Sequence, residues 1–200
     1  MTRWYQEKKR EHFYKQAKKD GYRARSAYKL LQIHRKFHLI KSGDVVVDLG
    51  AAPGGWSQIA HKLVQPNGKV VGIDLSPIKP FEDVIFLKGD MTKDEMIQRI
   101  FESVDFEPVD VVLSDMSPNI SGNYSMDHAR SIHLASQGLK AAKELLSDGG
   151  SFVCKVFMGE LIDDLVSEIR GSFGMVKQYS PKASRKSSSE QYIIAKSFRK

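Results

Sequence analysis

From residue 44 onward, short apolar runs of strand length alternate with longer amphipathic stretches, and this alternation restricts the possible folds more than any other feature. Most of the apolar runs are rich in Val and Ile, which is typical of parallel strands covered on both faces. The stretches between them carry apolar residues at three- and four-residue spacing, as amphipathic helices do. The pattern predicts an α/β fold with a seven-stranded, mostly parallel sheet and helices on both faces.

Seven strands and five helices are predicted from this pattern. The strands cover residues 45–50, 69–75, 84–90, 109–115, 151–157, 175–179 and 191–198, and the helices cover residues 26–40, 56–64, 93–101, 127–146 and 160–169. We expect Asp148-Gly149-Gly150 to end the fourth helix. Only residues 180–190 separate the last two strands, too few for a crossover helix, so these strands should pair antiparallel.

The positive charge is concentrated at the two ends of the chain. Residues 1–41 hold 13 basic and 3 acidic side chains, and residues 177–200 hold 7 basic and 1 acidic. Residues 42–176 between them are mildly acidic. The N-terminal cations are interleaved with Trp4, Tyr5, Phe13, Tyr14 and Tyr22. Because cations bind phosphates and flat rings stack on bases, we predict a basic RNA-binding arm over residues 1–25 and a single domain over 26–200. A merely solvated basic terminus is the alternative.

Several classes of protein are disfavoured by what the sequence lacks. Its apolar runs are far shorter than the roughly 20 residues that span a bilayer. Cys154 is the sole cysteine, which excludes an internal disulfide and fits a reducing compartment. The histidines show no metal-ligand spacing with Cys or carboxylates. We therefore expect a cytoplasmic protein with no membrane partner and no metal. A monomer is the simplest expectation, although the sequence does not reveal the oligomeric state.

Residues 48–56 read Asp-Leu-Gly-Ala-Ala-Pro-Gly-Gly-Trp, a strand that runs into a glycine turn and opens a helix. Open α/β sheets bind nucleotides at such a turn. Ala52 and Pro53 break the dinucleotide fingerprint, and no phosphate-binding Gly-x-x-x-x-Gly-Lys-Ser/Thr loop is present. The motif therefore favours a nucleoside-type ligand without a phosphate chain.

Two aspartates follow the next two predicted strands. Asp74 ends the second strand, where a carboxylate can take both ribose hydroxyls, and Asp90 ends the third, within reach of the amine edge of a base. Each alone could be a turn former. Together with the glycine turn they predict a nucleoside site, and S-adenosylmethionine is the common ligand that matches it.

Five segments resemble the FtsJ/RrmJ family of ribosomal RNA 2′-O-ribose methyltransferases, in family order and spacing. They are residues 26–30 (Ser-Ala-Tyr-Lys-Leu), 48–56, 114–119 (Ser-Asp-Met-Ser-Pro-Asn), 154–157 (Cys-Lys-Val-Phe) and 187–192 (Ser-Ser-Ser-Glu-Gln-Tyr). The resemblance implies a Rossmann-like methyltransferase fold that uses S-adenosylmethionine, and a uridine of large-subunit rRNA as substrate. Ser117 stands where many bacterial members have alanine, which leaves an archaeal-type or otherwise divergent member open.

The resemblance also assigns roles to individual residues. It supplies the family's catalytic tetrad as Lys29, Asp115, Lys155 and Glu190, with Lys155 as proton acceptor. It further implies cofactor contacts from Gly54, Trp56, Asp74, Asp90 and Asp115.

The chemistry of the four residues leaves two roles open for Lys155. A lysine with an ordinary pKa is neutral in only about one molecule in 2,500 at pH 7. Burial and a neighbouring cation favour the neutral amine, whereas carboxylates oppose it. We therefore interpret Lys155 as the base or as a hydroxyl-orienting group. In this hypothesis Lys29 aligns the acceptor hydroxyl, Asp115 bridges the cofactor and the two lysines, and Glu190 orients the lysines. A structural ion pair between Lys155 and Asp115 is the alternative.

Other functions remain in competition. A tRNA or mRNA-cap 2′-O-methyltransferase would use the same tetrad. A non-catalytic RNA-binding ribosome assembly factor would be expected to have a broken tetrad, and here it is intact. An amine methyltransferase would want an Asn/Asp-Pro-Pro-Tyr/Phe turn, which Asp-Met-Ser-Pro at 115–118 does not provide.

Overall fold

A seven-stranded sheet forms the centre of the computed structural model, which describes residues 13–81, 83–184 and 189–200. The strands are β1 (Val45–Leu49), β2 (Lys69–Asp74), β3 (Val84–Lys88), β4 (Val109–Ser114), β5 (Leu146–Phe157), β6 (Phe173–Tyr179) and β7 (Glu190–Phe198). Their order in the sheet is β3-β2-β1-β4-β5-β7-β6. β7 is antiparallel to β5 and β6, and the other neighbouring pairs are parallel. The predicted fold class is confirmed.

Helices cover both faces of the sheet. They are α1 (Ala27–Phe37), α2 (Gly55–Val64), α3 (Asp94–Ser103), α4 (Tyr124–Leu145) and α5 (Ile162–Ser172), and residues 13–19 are also helical. α1 and α2 pack on one face, and α3, α4 and α5 pack on the other. Successive residues of β1 divide between these layers, because Val46 packs with α1 and α2 whereas Val45 and Val47 pack on the opposite side.

The start of the fifth strand was placed too late by the sequence pattern. β5 begins at Leu146 rather than at residue 151, and α4 ends at Leu145. Leu146 lies opposite Val109 of β4, but the next partners are Ser151 and Val111, so β5 bulges between them. Gly149 has a φ of 80° within this bulge and does not cap the helix. The apolar run visible in the sequence begins where regular pairing resumes.

The described part of the basic arm packs on the domain. Ala17 is buried, and the rings of Phe13 and Tyr22 lie 5.5 and 5.4 Å from that of Tyr28 in α1. The Tyr28 hydroxyl donates to Asp20 Oδ2 at 2.6 Å. Trp4 and Tyr5 lie outside the described residues, and RNA binding by the arm stays a prediction.

Candidate active site

The glycine turn after β1 adopts a conformation that depends on glycine. Gly50 and Gly54 have φ angles of 75° and 102°, in the left-handed region that side chains disfavour. A Cβ atom on Gly54 would also come within 3.1 Å of the Phe81 ring and 3.2 Å of Arg23. Gly54 immediately precedes α2, so the turn places the start of that helix at the carboxyl end of β1.

The two predicted ribose- and base-binding aspartates lie at adjacent strand ends, as expected. Asp74 Oδ2 accepts from the backbone N–H of Ala52 at 3.0 Å, which ties the end of β2 to the glycine turn. Asp90 follows β3 and accepts from the backbone and the hydroxyl of Thr92. The Thr92 backbone hydrogen bond is the main reason that the pKa of Asp90 is lowered. Both carboxylates are therefore fixed in position beside the same edge of the sheet.

Trp56 occupies the layer beneath this edge. Its side chain is only 2% exposed, and its Nε1–H donates to the backbone oxygen of Ser26 at 2.9 Å. Its ring lies 5.5 Å from that of Tyr192 in β7. These contacts join α2 to α1 and support the sheet, and a contact of Trp56 with the cofactor stays a prediction.

The four predicted catalytic residues converge. Asp115 directly follows β4, and Ser114 before it lies opposite Cys154, so Asp115 comes beside Lys155. Lys155 of β5 pairs across the ladder with Tyr192 of β7. Glu190 lies two residues before Tyr192 and therefore on the same face of the sheet. Lys29 reaches this face from α1, and Lys29 and Lys155 are both buried.

One continuous chain of polar contacts joins the tetrad. Lys29 Nζ donates to Glu190 Oε1 at 2.6 Å and contacts the Tyr192 hydroxyl at 3.2 Å. That hydroxyl donates to Asp115 Oδ1 at 2.8 Å. Lys155 Nζ lies 3.2 Å from the same Oδ1 and donates to the backbone oxygen of Asp115 at 2.6 Å. The ion pair considered as an alternative role for Lys155 is thus present, and it is one part of a larger network.

Burial and charge act in opposite directions on the pKa of Glu190, and in the same direction on the pKa of Tyr192. Burial alone would raise the pKa of Glu190, but the charges of Lys29 and Lys155 and the hydrogen bonds from Lys29 and Ser184 outweigh it and lower that pKa. Burial, reinforced by Asp115 and Glu190, raises the pKa of Tyr192 well above its ordinary value of 10.0. Tyr192 is therefore a neutral hydrogen-bonding link between the two carboxylates.

Asp48 lies fully buried beneath the glycine turn. Burial raises its pKa to about 7; the hydrogen bond from Ser57 opposes this shift, and the nearby charges of Asp115 and Asp74 add to it. Its Oδ2 atom accepts from the Ser57 hydroxyl at 2.6 Å. Its Oδ1 atom has no hydrogen-bond partner within the described parts of the chain. This oxygen is a buried polar group that the described residues leave without a hydrogen bond.

Two residues of this site were given no role by the sequence analysis. Tyr192 connects the tetrad. The predicted strand began at residue 191, one residue after Glu190, whereas β7 begins at Glu190, which puts Glu190 and Tyr192 on the same face. Arg23 donates from its guanidinium to the backbone oxygens of Lys79 and Pro80, and stacks 4.1 Å from the Phe81 ring. Nothing distinguished Arg23 within a run of basic residues.

The parts of the chain that the structure describes contain neither a metal-binding cluster nor a membrane-spanning helix. No group of three or more His, Cys, Asp or Glu residues there is arranged to hold a metal ion. No helix of those parts is long and apolar enough to cross a membrane.

The chain is similar to proteins of one family of methyltransferases. Residues 22–198 match the family of FtsJ-like methyltransferases. Ribosomal RNA large subunit methyltransferase E of Methanocaldococcus jannaschii is 50% identical over 98% of this chain and 82% of its own length. The enzyme of that name from Archaeoglobus fulgidus is 51% identical over 96% of this chain and 98% of its own length.

A solved structure supports the same assignment. The crystal structure described as a ribosomal RNA methyltransferase from Plasmodium falciparum superposes with a TM-score of 0.81 and is 28% identical. The match covers 88% of this chain and 98% of the other. The chain therefore belongs to the FtsJ-like methyltransferase family.

Proposed function

We propose that this chain transfers a methyl group from S-adenosylmethionine to the 2′-hydroxyl of a ribose in large-subunit ribosomal RNA, most simply a uridine. The observation that carries the proposal is the buried network of Lys29, Glu190, Tyr192, Asp115 and Lys155. It lies at the edge where the glycine turn and Asp74 are found. The names of the archaeal relatives support the choice of large-subunit rRNA.

The polar groups at the strand ends fit S-adenosylmethionine. Asp74 offers carboxylate oxygens for ribose hydroxyls, and Asp90 lies at the next strand end for the base. The glycine turn between β1 and α2 lies beside Asp74, where its backbone can approach the ligand. When bound, the cofactor supplies a methyl group on a positively charged sulfur, which is a good electrophile. We keep the cytoplasmic location and the monomeric state as predictions.

The protein's own residues act mainly by positioning and by moving one proton. The acceptor oxygen must lie about 3 Å from the methyl carbon and in line with the bond that breaks. Transfer would join the hydroxyl oxygen to the methyl carbon, break the carbon–sulfur bond and leave S-adenosylhomocysteine. The hydroxyl proton would pass to Lys155 acting as the base or, with Lys155 as orienting donor, to solvent. Asp115 fixes Lys155 through two contacts, while Glu190 and Tyr192 hold Lys29 in place to stabilise the alkoxide charge.

Label transfer tests the reaction directly. The chain is incubated with tritiated S-adenosylmethionine and unmodified rRNA, tRNA or capped mRNA transcripts, and nuclease digestion shows whether the label is on ribose or base. We expect ribose label on large-subunit rRNA. Label confined to tRNA or to a cap would replace the substrate, label on a base would refute the proposed acceptor, and a lack of label with retained RNA binding would favour the assembly factor.

The role of Lys155 is tested with a matched control. Lys155→Ala should lower kcat by about 100-fold or more, because general acid–base groups contribute that much. Lys143→Ala is the control, since Lys143 forms an exposed ion pair with Glu168 away from the network. Near-normal turnover of Lys155→Ala at saturating RNA, with cofactor affinity intact, would refute the assignment.

A further inference from the structure

An exposed apolar surface lies beside the proposed catalytic network. Among the described residues, nine large hydrophobic side chains are exposed, and five of them fall on two short segments after β4 and β5. We call these five the apolar rim: Ile120, Tyr124, Met126, Met158 and Leu161, exposed by 65, 60, 45, 52 and 44%. Exposed apolar groupings of this kind on soluble proteins often mark a binding surface.

The backbone beneath the apolar rim is held by buried polar groups. The carboxylate of Asp127 accepts from the backbone N–H groups of Ser121 and Gly122 and from the Ser121 hydroxyl. His128 Nδ1 bonds to the backbone oxygen of Phe157, and its Nε2 accepts from the N–H of Leu161 at 3.1 Å. Both segments are therefore fixed before any partner binds.

Tyr124 joins the two segments directly. Its hydroxyl donates to the backbone oxygen of Met158 at 2.5 Å, while its ring stays 60% exposed. The ring is thus oriented by its polar end and open on its apolar surface. An aromatic ring held in this way can stack on a flat partner at low entropic cost.

Two members of the apolar rim lie close along the chain to residues of the catalytic network. Met158 lies three residues after Lys155, about 10 Å further along an extended chain. Ile120 is in the loop that starts at Asp115. A ribose whose hydroxyl lay at Lys155 Nζ would therefore have its own base, or that of an adjacent nucleotide, within about the same distance as these side chains.

The charges around the apolar rim favour bases over phosphates. The rim carries no charge itself, and exposed Glu160 and Asp163 flank Leu161, where they repel phosphate. Exposed Arg130 lies one helical turn beyond Met126 and offers a cation on the other side. We infer that the apolar rim, centred on the Tyr124 ring, stacks unpaired bases of the acceptor RNA strand next to the methylated ribose. This inference rests on the proposed function in taking RNA as the acceptor.

Binding measurements test this inference without requiring turnover. Fluorescence anisotropy measures the affinity of the protein for a labelled oligouridylate and for a labelled abasic ribose-phosphate oligomer of equal length and charge. Tyr124→Ala should weaken oligouridylate binding about tenfold, as expected for loss of one stacked base, and leave the abasic oligomer and the salt dependence unchanged. Tyr124→Phe keeps the ring and should bind nearly as the wild type does.

Controls separate stacking from other roles. Phe106→Ala removes a side chain that is 65% exposed in the loop between α3 and β4, and it should bind both oligomers normally. Equal weakening of both oligomers by Tyr124→Ala, or a Tyr124→Phe defect as large as that of Tyr124→Ala, would overturn the inference. A change in oligomeric state with normal RNA affinity would instead make the rim an interface between copies of the chain. If no RNA is methylated but Tyr124→Ala still selectively weakens oligouridylate binding, the stacking surface stands and the proposed reaction falls.

Discussion

The buried ion pair between Lys29 and Glu190 allows a quantitative test of the network. Its atoms lie 2.6 Å apart, and its side chains are 9 and 13% exposed. At an effective dielectric constant of about 20, unit charges at that separation attract by about 6 kcal/mol before desolvation is subtracted. Removing one partner of a buried pair typically costs 3–5 kcal/mol. Glu190→Gln keeps an oxygen that can accept from Lys29, so we expect a loss of about 3 kcal/mol in the free energy of unfolding at neutral pH.

The loss should depend on pH with a definite sign. The pKa of Glu190 is lower in the folded chain than its ordinary value of 4.5, so the carboxylate stabilises the fold above that pH. This stabilisation is lost as the pH falls through the folded pKa and the wild type becomes protonated. The difference between wild type and Glu190→Gln should therefore be full at neutral pH and shrink below pH 4.5.

Urea unfolding at a series of pH values measures this difference. Glu168→Gln is the matched control, because Glu168 pairs with Lys143 at 3.0 Å with side chains 53 and 36% exposed. Exposed pairs are worth about 0–1 kcal/mol, so the control should unfold nearly as the wild type does. Equal losses for both variants, or a Glu190→Gln loss that does not vary with pH, would refute the claim that burial makes this pair important.

Three further changes probe the rest of the site. Tyr192→Phe removes the hydroxyl bonded to Asp115, so the free energy of unfolding in urea should fall by about 1.5 kcal/mol. Steady-state kinetics should show a lower kcat at an unchanged KM for RNA. Wild-type stability and kcat would contradict the linking role. Asp48 has a pKa raised to about 7, so the wild type should lose stability relative to Asp48→Asn as the pH rises from 3.8 toward 7. Urea unfolding at several pH values measures this difference, and a difference that stays constant with pH would contradict the raised pKa. Arg23→Ala should weaken S-adenosylmethionine binding about fivefold in titration calorimetry, because the Arg23 guanidinium holds the loop after β2. Arg23→Lys should be equally weak, since a lysine ammonium lacks the planar pair of N–H groups that bonds to two carbonyl oxygens.

The sequence predicted the fold well because apolar periodicity reports directly on burial. Val46 and Val47 belong to opposite layers of the core, which is why β1 reads as a continuous apolar run. The error at the start of β5 has a local cause, since Ser147 and Gly149 lie in a bulge with no apolar pattern. Propensity treats such glycines as a helix end, and only pairing with β4 makes them part of a strand.

The residues of the candidate active site were predicted only in part. Lys29, Asp115, Lys155 and Glu190 were identified by family resemblance, and their convergence is present in the structure. Tyr192 lies in a segment that resembles the family but was given no role, and Arg23 lies outside those segments. Their importance arises from tertiary contacts with distant residues: the Tyr192 hydroxyl contacts Lys29, 163 positions away along the chain, and local sequence spacing does not encode that contact.

The reversed direction of β7 explains how one sheet edge can collect all four charges. In a parallel sheet the carboxyl ends of the strands meet at one edge, which brings Asp115 after β4 and Lys155 near the end of β5 to the same place. A parallel β7 would begin at the opposite edge. Because β7 runs antiparallel, its first residue, Glu190, lies opposite Phe157 at the end of β5, and Tyr192 lies opposite Lys155. The antiparallel strand thus delivers an acid and a hydroxyl at its start, and Lys29 closes the network from the helix above.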